Sequence, residues 1–125
     1  MLENIAPGME HTVSLTVGER DTALHYGSGG LGVFATPGMI ALMEAAAYGL
    51  LRQAPVSLES VGTRIAVNHT RACLPGTCVS ARAVVEKVEG KRIFFTVTAS
   101  DRNGEIGCGE HERYIIDPEK FLSRL

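Results

Sequence analysis

One segment, Thr36 to Gln53 (TPGMIALMEAAAYGLLRQ), limits what this chain can fold into: it is the only long run of strong helix formers and is apolar on every side. A helix without a polar face belongs inside other structure. Thr36 can cap its start, and Pro37 suits the first helical position, where a missing N–H costs nothing. Arg52 suits the negative end of the helix dipole. Between these ends Glu44 is the only ionisable group apart from the Tyr48 phenol. Its neighbours are Met43 and the run Ala45–Ala47, so wrapping the helix desolvates a carboxylate, at roughly several kcal/mol. Such a group is either satisfied by the backbone or Tyr48, or it marks a functional site.

The flanking sequence supplies strands to do the wrapping. His11 to Val17 alternates, with Val13, Leu15 and Val17 on one face. Gly18 to Ala35 breaks that regularity, and its glycines make ordered structure entropically expensive, which predicts a mobile loop leading into the helix. Gln53 to Ser60, with Pro55, reads as a connection, and Val61 to Thr70 as a second strand stopped by LPGT. Val79–Val85 and Ile93–Ala99 alternate as two paired strands joined at Glu89-Gly90. DRNG at 101–104 turns into a fifth strand, Ile106 to Ile116. Asp117-Pro118-Glu119 caps a short terminal helix. Consecutive hairpins make an antiparallel sheet, and five strands curled round one helix give an α+β hot-dog arrangement. Exposed sheet edges then ask for a partner, so a homodimer with a shared crevice is expected.

Composition removes several classes of function. At 125 residues one domain, spanning 1–125, is expected. The net charge of −2 contains no basic run, and the few aromatics are not interleaved with Lys or Arg, so no nucleic-acid partner is expected. The N-terminal MLENIAPGMEH has no apolar core of signal-peptide length, and the longest apolar stretch is broken by Glu44, so no membrane association is expected either. Cys73, Cys78 and Cys108 form an odd set without CxxC spacing, as expected of reduced thiols in a cytoplasmic protein.

Three stretches, VFATPGMIALMEAAAYGLL, VGTRIAVNHTRACLPGT and GEHERYIID, together resemble the small hot-dog thioesterases related to fluoroacetyl-CoA thioesterase, over Val33 to Asp117. The resemblance implies hydrolysis of a small acyl-CoA to free acid and coenzyme A, with CoA entering as part of the substrate, no other cofactor and no metal. It implies a catalytic group made of a threonine at the helix start, a glutamate eight residues on and a histidine in the following strand. Here these are Thr36, Glu44 and His69. A glycine seven residues before the histidine and an arginine in the last strand, Gly62 and Arg113, are implied to hold the thioester and acyl group. Members selective for the fluorinated acyl group close the pocket with bulky aromatic residues before the helix. This chain reads GSGGLGVFA there, with Phe34 as its only phenylalanine and candidate substrate contact, so the resemblance implies acyl-CoA hydrolysis and leaves fluoroacetyl selectivity open.

The chemistry can be read beside that resemblance. Thioester hydrolysis needs a nucleophile, a group to move its proton, and donors for the developing oxyanion. Thr36 offers a hydroxyl, although a plain helix cap is an equal reading of it. Glu44 lies about 12 Å further along the same helix, so a substrate, a water or the other subunit must bridge the two. His69 is a lone histidine between an apolar strand and a Pro-Gly turn, and such residues are more often structural; His11, His25 and His111 are weaker candidates. A metal site on His69, Cys73 and Cys78 lacks a fourth ligand with zinc spacing. Gly27, Gly29 and Gly32 satisfy GxGxxG without a preceding strand, which leaves them as loop residues. Cys73, four residues from His69, is a minor alternative nucleophile. Arg113 either forms a surface ion pair with a neighbouring glutamate or, if it shares an inward face with His111, meets a carbonyl or a CoA phosphate. A non-catalytic acyl-CoA-binding module remains the alternative to a thioesterase, with a hot-dog hydratase as a third reading.

Overall fold

The computed structural model describes residues 4–53 and 57–125, so the expected connection at Pro55 and the first residues of the acid-bearing N-terminus lie outside it. The elements run β1 (Glu10–Thr16), a 3₁₀ turn (Glu19–Asp21), α1 (Ala23–Tyr26), α2 (Thr36–Leu51), β2 (Glu59–His69), β3 (Cys78–Glu89), β4 (Arg92–Asp101), β5 (Gly104–Ile116) and α3 (Pro118–Ser123). The strand limits fall within two residues of those read from alternation, except that β3 runs four residues past Val85 to Glu89.

All five strands form one antiparallel sheet in the order β1-β3-β4-β5-β2. β3, β4 and β5 are consecutive hairpins, as expected, and the Asp101 carboxylate accepts the Asn103 N–H at 2.8 Å in the second turn. β2 departs from that pattern. β1 already occupies the free side of β3, from Glu10 opposite Val84 to Thr16 opposite Cys78, so β2 pairs with β5 and becomes the far edge. Gly107 of β5 permits the close approach. A Cβ there would stand 2.7 Å from Asn68 O and 2.5 Å from Met39 Sδ.

Register shifts at Gly62/Arg64, Val85/Lys87 and Ala99/Ser100 mark bulges, which increase the bend of a sheet around what it covers. The concave face presents Val79, Ala81, Ala83 and Val85 from β3 and Ile93, Phe95, Val97 and Ala99 from β4, all buried. Met39, Met43, Ala46, Ala47 and Leu50 of α2 complete the core. The larger of these side chains each contribute about 1.5–3 kcal/mol by leaving water.

The helix itself differs from expectation in three ways. It ends at Leu51, with Arg52 at the C-cap. Its cap is Ala35, whose extended backbone (φ −76, ψ 143) carries no capping side chain, so Thr36 lies in the first turn and Pro37 follows it. And it is not enclosed all round: Ala41 and Ala45 are exposed, and the Glu44 side chain is 42% exposed. A single sheet reaches only part of a helix's circumference, and alanines on the remainder have little apolar area to hide.

The glycine-rich approach to α2 is also more ordered than its composition suggests. Thr22 Oγ1 accepts the His25 N–H at 3.3 Å, capping α1, and the Ala23 and Ala35 N–H groups reach Val33 O and Asp21 O, each at 2.9 Å. These bonds close the base of the loop and leave Gly27–Gly32 as its exposed tip. At the chain's other end Asp117 caps α3 as read, accepting from the N–H groups of Glu119 (3.1 Å) and Lys120 (3.3 Å).

Candidate active site

The first turn of α2 and the last residue of β2 meet because both are pinned from neighbouring loops. Phe34 N donates to Cys73 O at 2.9 Å, tying the helix entry to the segment after β2. That segment is held in turn by Arg71, which donates to both Asp101 oxygens (3.0 and 2.6 Å) and to Gly104 O (2.8 Å). Between these clamps Thr36 Oγ1 lies 2.8 Å from His69 Nδ1. The Phe34 ring, itself buried, stands edge-on to the imidazole with centroids 6.4 Å apart.

Burial pushes the His69 pKa below the ordinary imidazole range, opposed by the Arg71 backbone. The ring is therefore neutral at neutral pH. With the proton on Nε2, the Thr36 hydroxyl donates to Nδ1, the relation a nucleophile bears to its base. His69 Nε2 is buried and, among the described residues, has no hydrogen-bond partner. The pair opens on a cleft of about 300 Å³ lined by Phe34, Ala35, Pro37 and Thr70. A larger groove of about 740 Å³ joins it at Arg71 and Ala72 and runs to Asp101–Asn103. The groove has the greater volume, but the Thr36–His69 contact lies in the cleft.

Glu44 lies elsewhere, in a second cluster. Arg113 is buried on the inward face of β5, donating from Nε to Ser60 Oγ (3.0 Å) and from Nη2 to Ser60 O (3.1 Å). Its Nη1 lies 3.2 Å from His111 Nε2 and 3.8 Å from Glu44 Oε2, and the Tyr48 ring lies 5.6 Å from the guanidinium carbon. Arg113 is thus an interior cation; the reading as a surface pair with Glu110 or Glu112 does not hold. Gly62 faces the same cluster. A Cβ there would stand 2.8 Å from Glu44 Oε2 and 3.3 Å from Arg113 Nη1, so the missing side chain lets the carboxylate sit where it does. One chain therefore gathers Thr36, His69 and Phe34 at one point and Glu44, Gly62 and Arg113 at another, two helical turns apart.

The model of the fluoroacetyl-CoA-specific thioesterase family, FlK, matches residues 17–119. The chain belongs to that family. The fluoroacetyl-CoA thioesterase of Streptantibioticus cattleyicolor is 43% identical over 97 residues, 74% of this chain and 68% of that protein. A solved structure of the fluoroacetyl-CoA thioesterase FlK superposes with a TM-score of 0.90 at 35% identity, covering 96% of this chain and 94% of the other. A thioesterase superfamily member from Thermus thermophilus gives 0.88 at 28% identity, covering 95% and 89%. The sheet and helix are those of the hot-dog thioesterases.

Within this FlK-family chain, the second cluster holds one residue read only as a weaker candidate, His111, and one that escaped the sequence reading, Ser60. His111 is buried, stacks on Phe95 (centroids 6.0 Å apart, 28° between planes) and contacts Arg64 O through Nδ1 at 2.7 Å. Alternation along β5 puts His111, Arg113 and Ile115 on one face, and that signal was available. Ser60 had none, because its meeting with Arg113 depends on the β2–β5 register. Cys73 is buried, with no hydrogen bond to His69 among the described residues, and burial raises its thiol pKa, with Asp101 adding to the rise. That is the wrong direction for a nucleophilic thiolate. His69, Cys73 and Cys78 do not gather as a ligand set among the described residues. His11 packs on Gly49 of α2, and His25 is exposed on α1.

Proposed function

We propose that this FlK-family protein hydrolyses a small acyl-CoA thioester to free acid and CoA, working as a homodimer whose active site is completed across the subunit boundary. The observation that carries the reading is the 2.8 Å contact between the Thr36 hydroxyl and a neutral His69. As Thr36 Oγ1 adds to the thioester carbonyl carbon, its proton moves to His69 Nδ1. The tetrahedral adduct collapses, the C–S bond breaks, and the departing CoA sulfur takes that proton. Water, deprotonated by the same imidazole, then adds to the threonyl ester carbon; the bond to Thr36 Oγ1 breaks, the imidazole returns the proton to that oxygen, and the acid is released.

Glu44 enters from the second subunit in this reading. β2 is an edge strand, and antiparallel pairing of two copies centred between Ile65 and Ala66 sets Gly62 opposite the partner subunit's His69. The Glu44 carboxylate beside Gly62 then takes the Nε2–H that lacks an acceptor within one chain, completing a Thr–His–Glu arrangement. The Gly62 N–H is the proposed oxyanion donor, Phe34 walls the acyl pocket, and Arg113 holds Glu44 in place. The CoA arm has a route along the groove that meets the cleft at Arg71. Gly27–Gly32 cover the pocket without an aromatic lid, so fluoroacetyl selectivity is not part of the proposal.

The setting proposed is a single domain in the cytoplasm, with three free thiols, no cofactor beyond the CoA of the substrate, and no membrane or nucleic-acid partner. Among the described residues no helix is long and apolar enough to cross a membrane. A panel of short acyl-CoAs assayed for free thiol tests the reaction. Turnover that disappears in His69→Ala is the expected result, and tight acyl-CoA binding with no turnover in the parent would replace it with the binding-module reading. Light scattering should give at least a dimer mass, and a monomer at micromolar concentration would remove the shared site.

A further inference from the structure

We infer that His111 is a positioning residue that holds the Arg113 guanidinium off Glu44, so that the carboxylate is attracted to a cation without being captured by it. The inference rests on the role given to Glu44 above.

Both imidazole nitrogens of His111 are engaged, and the partners dictate which one carries the proton. Nδ1 lies 2.7 Å from Arg64 O, and a carbonyl can only accept, so Nδ1 is the N–H. Nε2 then has a lone pair to offer and takes a hydrogen bond from Arg113 Nη1 at 3.2 Å. Arg113 is fixed on its other side by Ser60, through Nε to the hydroxyl and Nη2 to the carbonyl. With those bonds made, Nη1 stops 3.8 Å from Glu44 Oε2, beyond hydrogen-bond length. A guanidinium released from this frame would close a charge-assisted bond to Glu44, the stronger partner, and occupy the oxygen that His69 of the partner subunit needs.

The frame requires a neutral His111, and its surroundings provide for that. Burial, the largest influence, depresses its pKa and so does Arg113 beside it, while the Arg64 carbonyl on β2, Glu44 on α2 and Glu112 on β5 pull the other way. β4 adds the uncharged Phe95 ring.

Two substitutions separate the ring's two bonds. His111→Gln extends an oxygen to the place of Nε2 and keeps the acceptor for Arg113. His111→Asn keeps a donor for Arg64 O but is too short to reach Arg113. The expected result is a kcat/KM for His111→Asn lower by about ten- to hundredfold, mostly in kcat, as suits one charge-assisted hydrogen bond, with His111→Gln within about threefold of the parent. Equal losses in the two variants, or a greater loss in Gln, would overturn the inference. Imidazole ¹⁵N spectra of the parent protein give a readout independent of turnover, with His111 assigned by its absence in a variant. The inference expects an Nδ1–H ring that stays neutral through the pH range where an exposed histidine titrates; an Nε2–H ring, or titration at the ordinary pH, overturns it. Should the parent hydrolyse nothing, the hydrolase reading fails and the spectra alone decide the His111–Arg113 contact, by those same two outcomes.

Discussion

Replacing Gly62 by alanine disturbs the Glu44 carboxylate without altering it. The added methyl would stand 2.8 Å from Glu44 Oε2 and 3.3 Å from both Arg113 Nη1 and His111 Cε1, where ordinary contacts begin near 3.4 Å. Arg113 and His111 are buried and bonded on several sides, so Glu44, with 42% of its side chain exposed, is the group that moves, by about 0.6 Å. Stability changes little. Gly62 has no positive φ, so alanine adopts its backbone and restricts the unfolded chain, a gain of about 0.4–1 kcal/mol. A displaced glutamate rotamer costs about 0.5–1.5 kcal/mol, leaving a net effect within about 1 kcal/mol. Catalysis is far less tolerant, because a misplacement approaching 1 Å can cost about 10²-fold. Gly62→Ala should therefore melt within a few degrees of the parent yet lose about 10- to 100-fold in kcat/KM, measured as thiol release from the best acyl-CoA. If the loss runs through Glu44, it should vanish in a Glu44→Gln background, itself expected to be down about 10²- to 10⁴-fold. A folded Gly62→Ala protein with parental kcat/KM, or a double variant whose loss is the product of the two single losses, would refute the reasoning.

Thr36→Ala gives up one exposed hydrogen bond and no cap, so it should cost about 0.5–1.5 kcal/mol of stability but about 10²- to 10⁴-fold in rate, with Thr36→Ser retaining activity; paired melting and steady-state measurements check this. His69 and His111 both have pKa values depressed by burial, so the unfolded chain takes up protons near pH 6.5 that the folded chain refuses. Their contribution is complete above about pH 6.5 and is lost as pH falls toward the folded-state values; a urea midpoint no lower at pH 5.5 than at pH 7.5 would contradict this. Leu50→Ala, opening the core where α2 meets the sheet, should cost about 2–5 kcal/mol by denaturant titration. In amide exchange Gly27–Gly32 should exchange fast, while Phe34 and Ala35, whose N–H groups are bonded to Cys73 O and Asp21 O, should be protected; uniform protection across 27–35 would exclude a lid that opens.

Local periodicity determined a good deal by itself. Alternation at Val79–Val85 and Ile93–Ala99, the DRNG turn and the Asp117 cap all depend on neighbours within a few residues, and each element stands where the sequence put it. The resemblance drew Thr36, Glu44, His69, Gly62 and Arg113 out of the same local stretches. Only the tertiary structure decided how these residues group. Thr36 looked like a cap because cap chemistry is local, but its hydroxyl is taken by His69, thirty-three residues away, and Ala35 starts the helix with backbone conformation alone. Arg113 reads as a surface residue among glutamates until the β2–β5 register sets Ser60 beneath its guanidinium. Glu44 was expected to be fully desolvated, yet one sheet cannot close round a helix of exposed alanines, and the carboxylate looks partly to solvent. Distances along a chain constrain its turns and faces, whereas the meeting of side chains across a sheet depends on register, and register is chosen by the packing of the whole core.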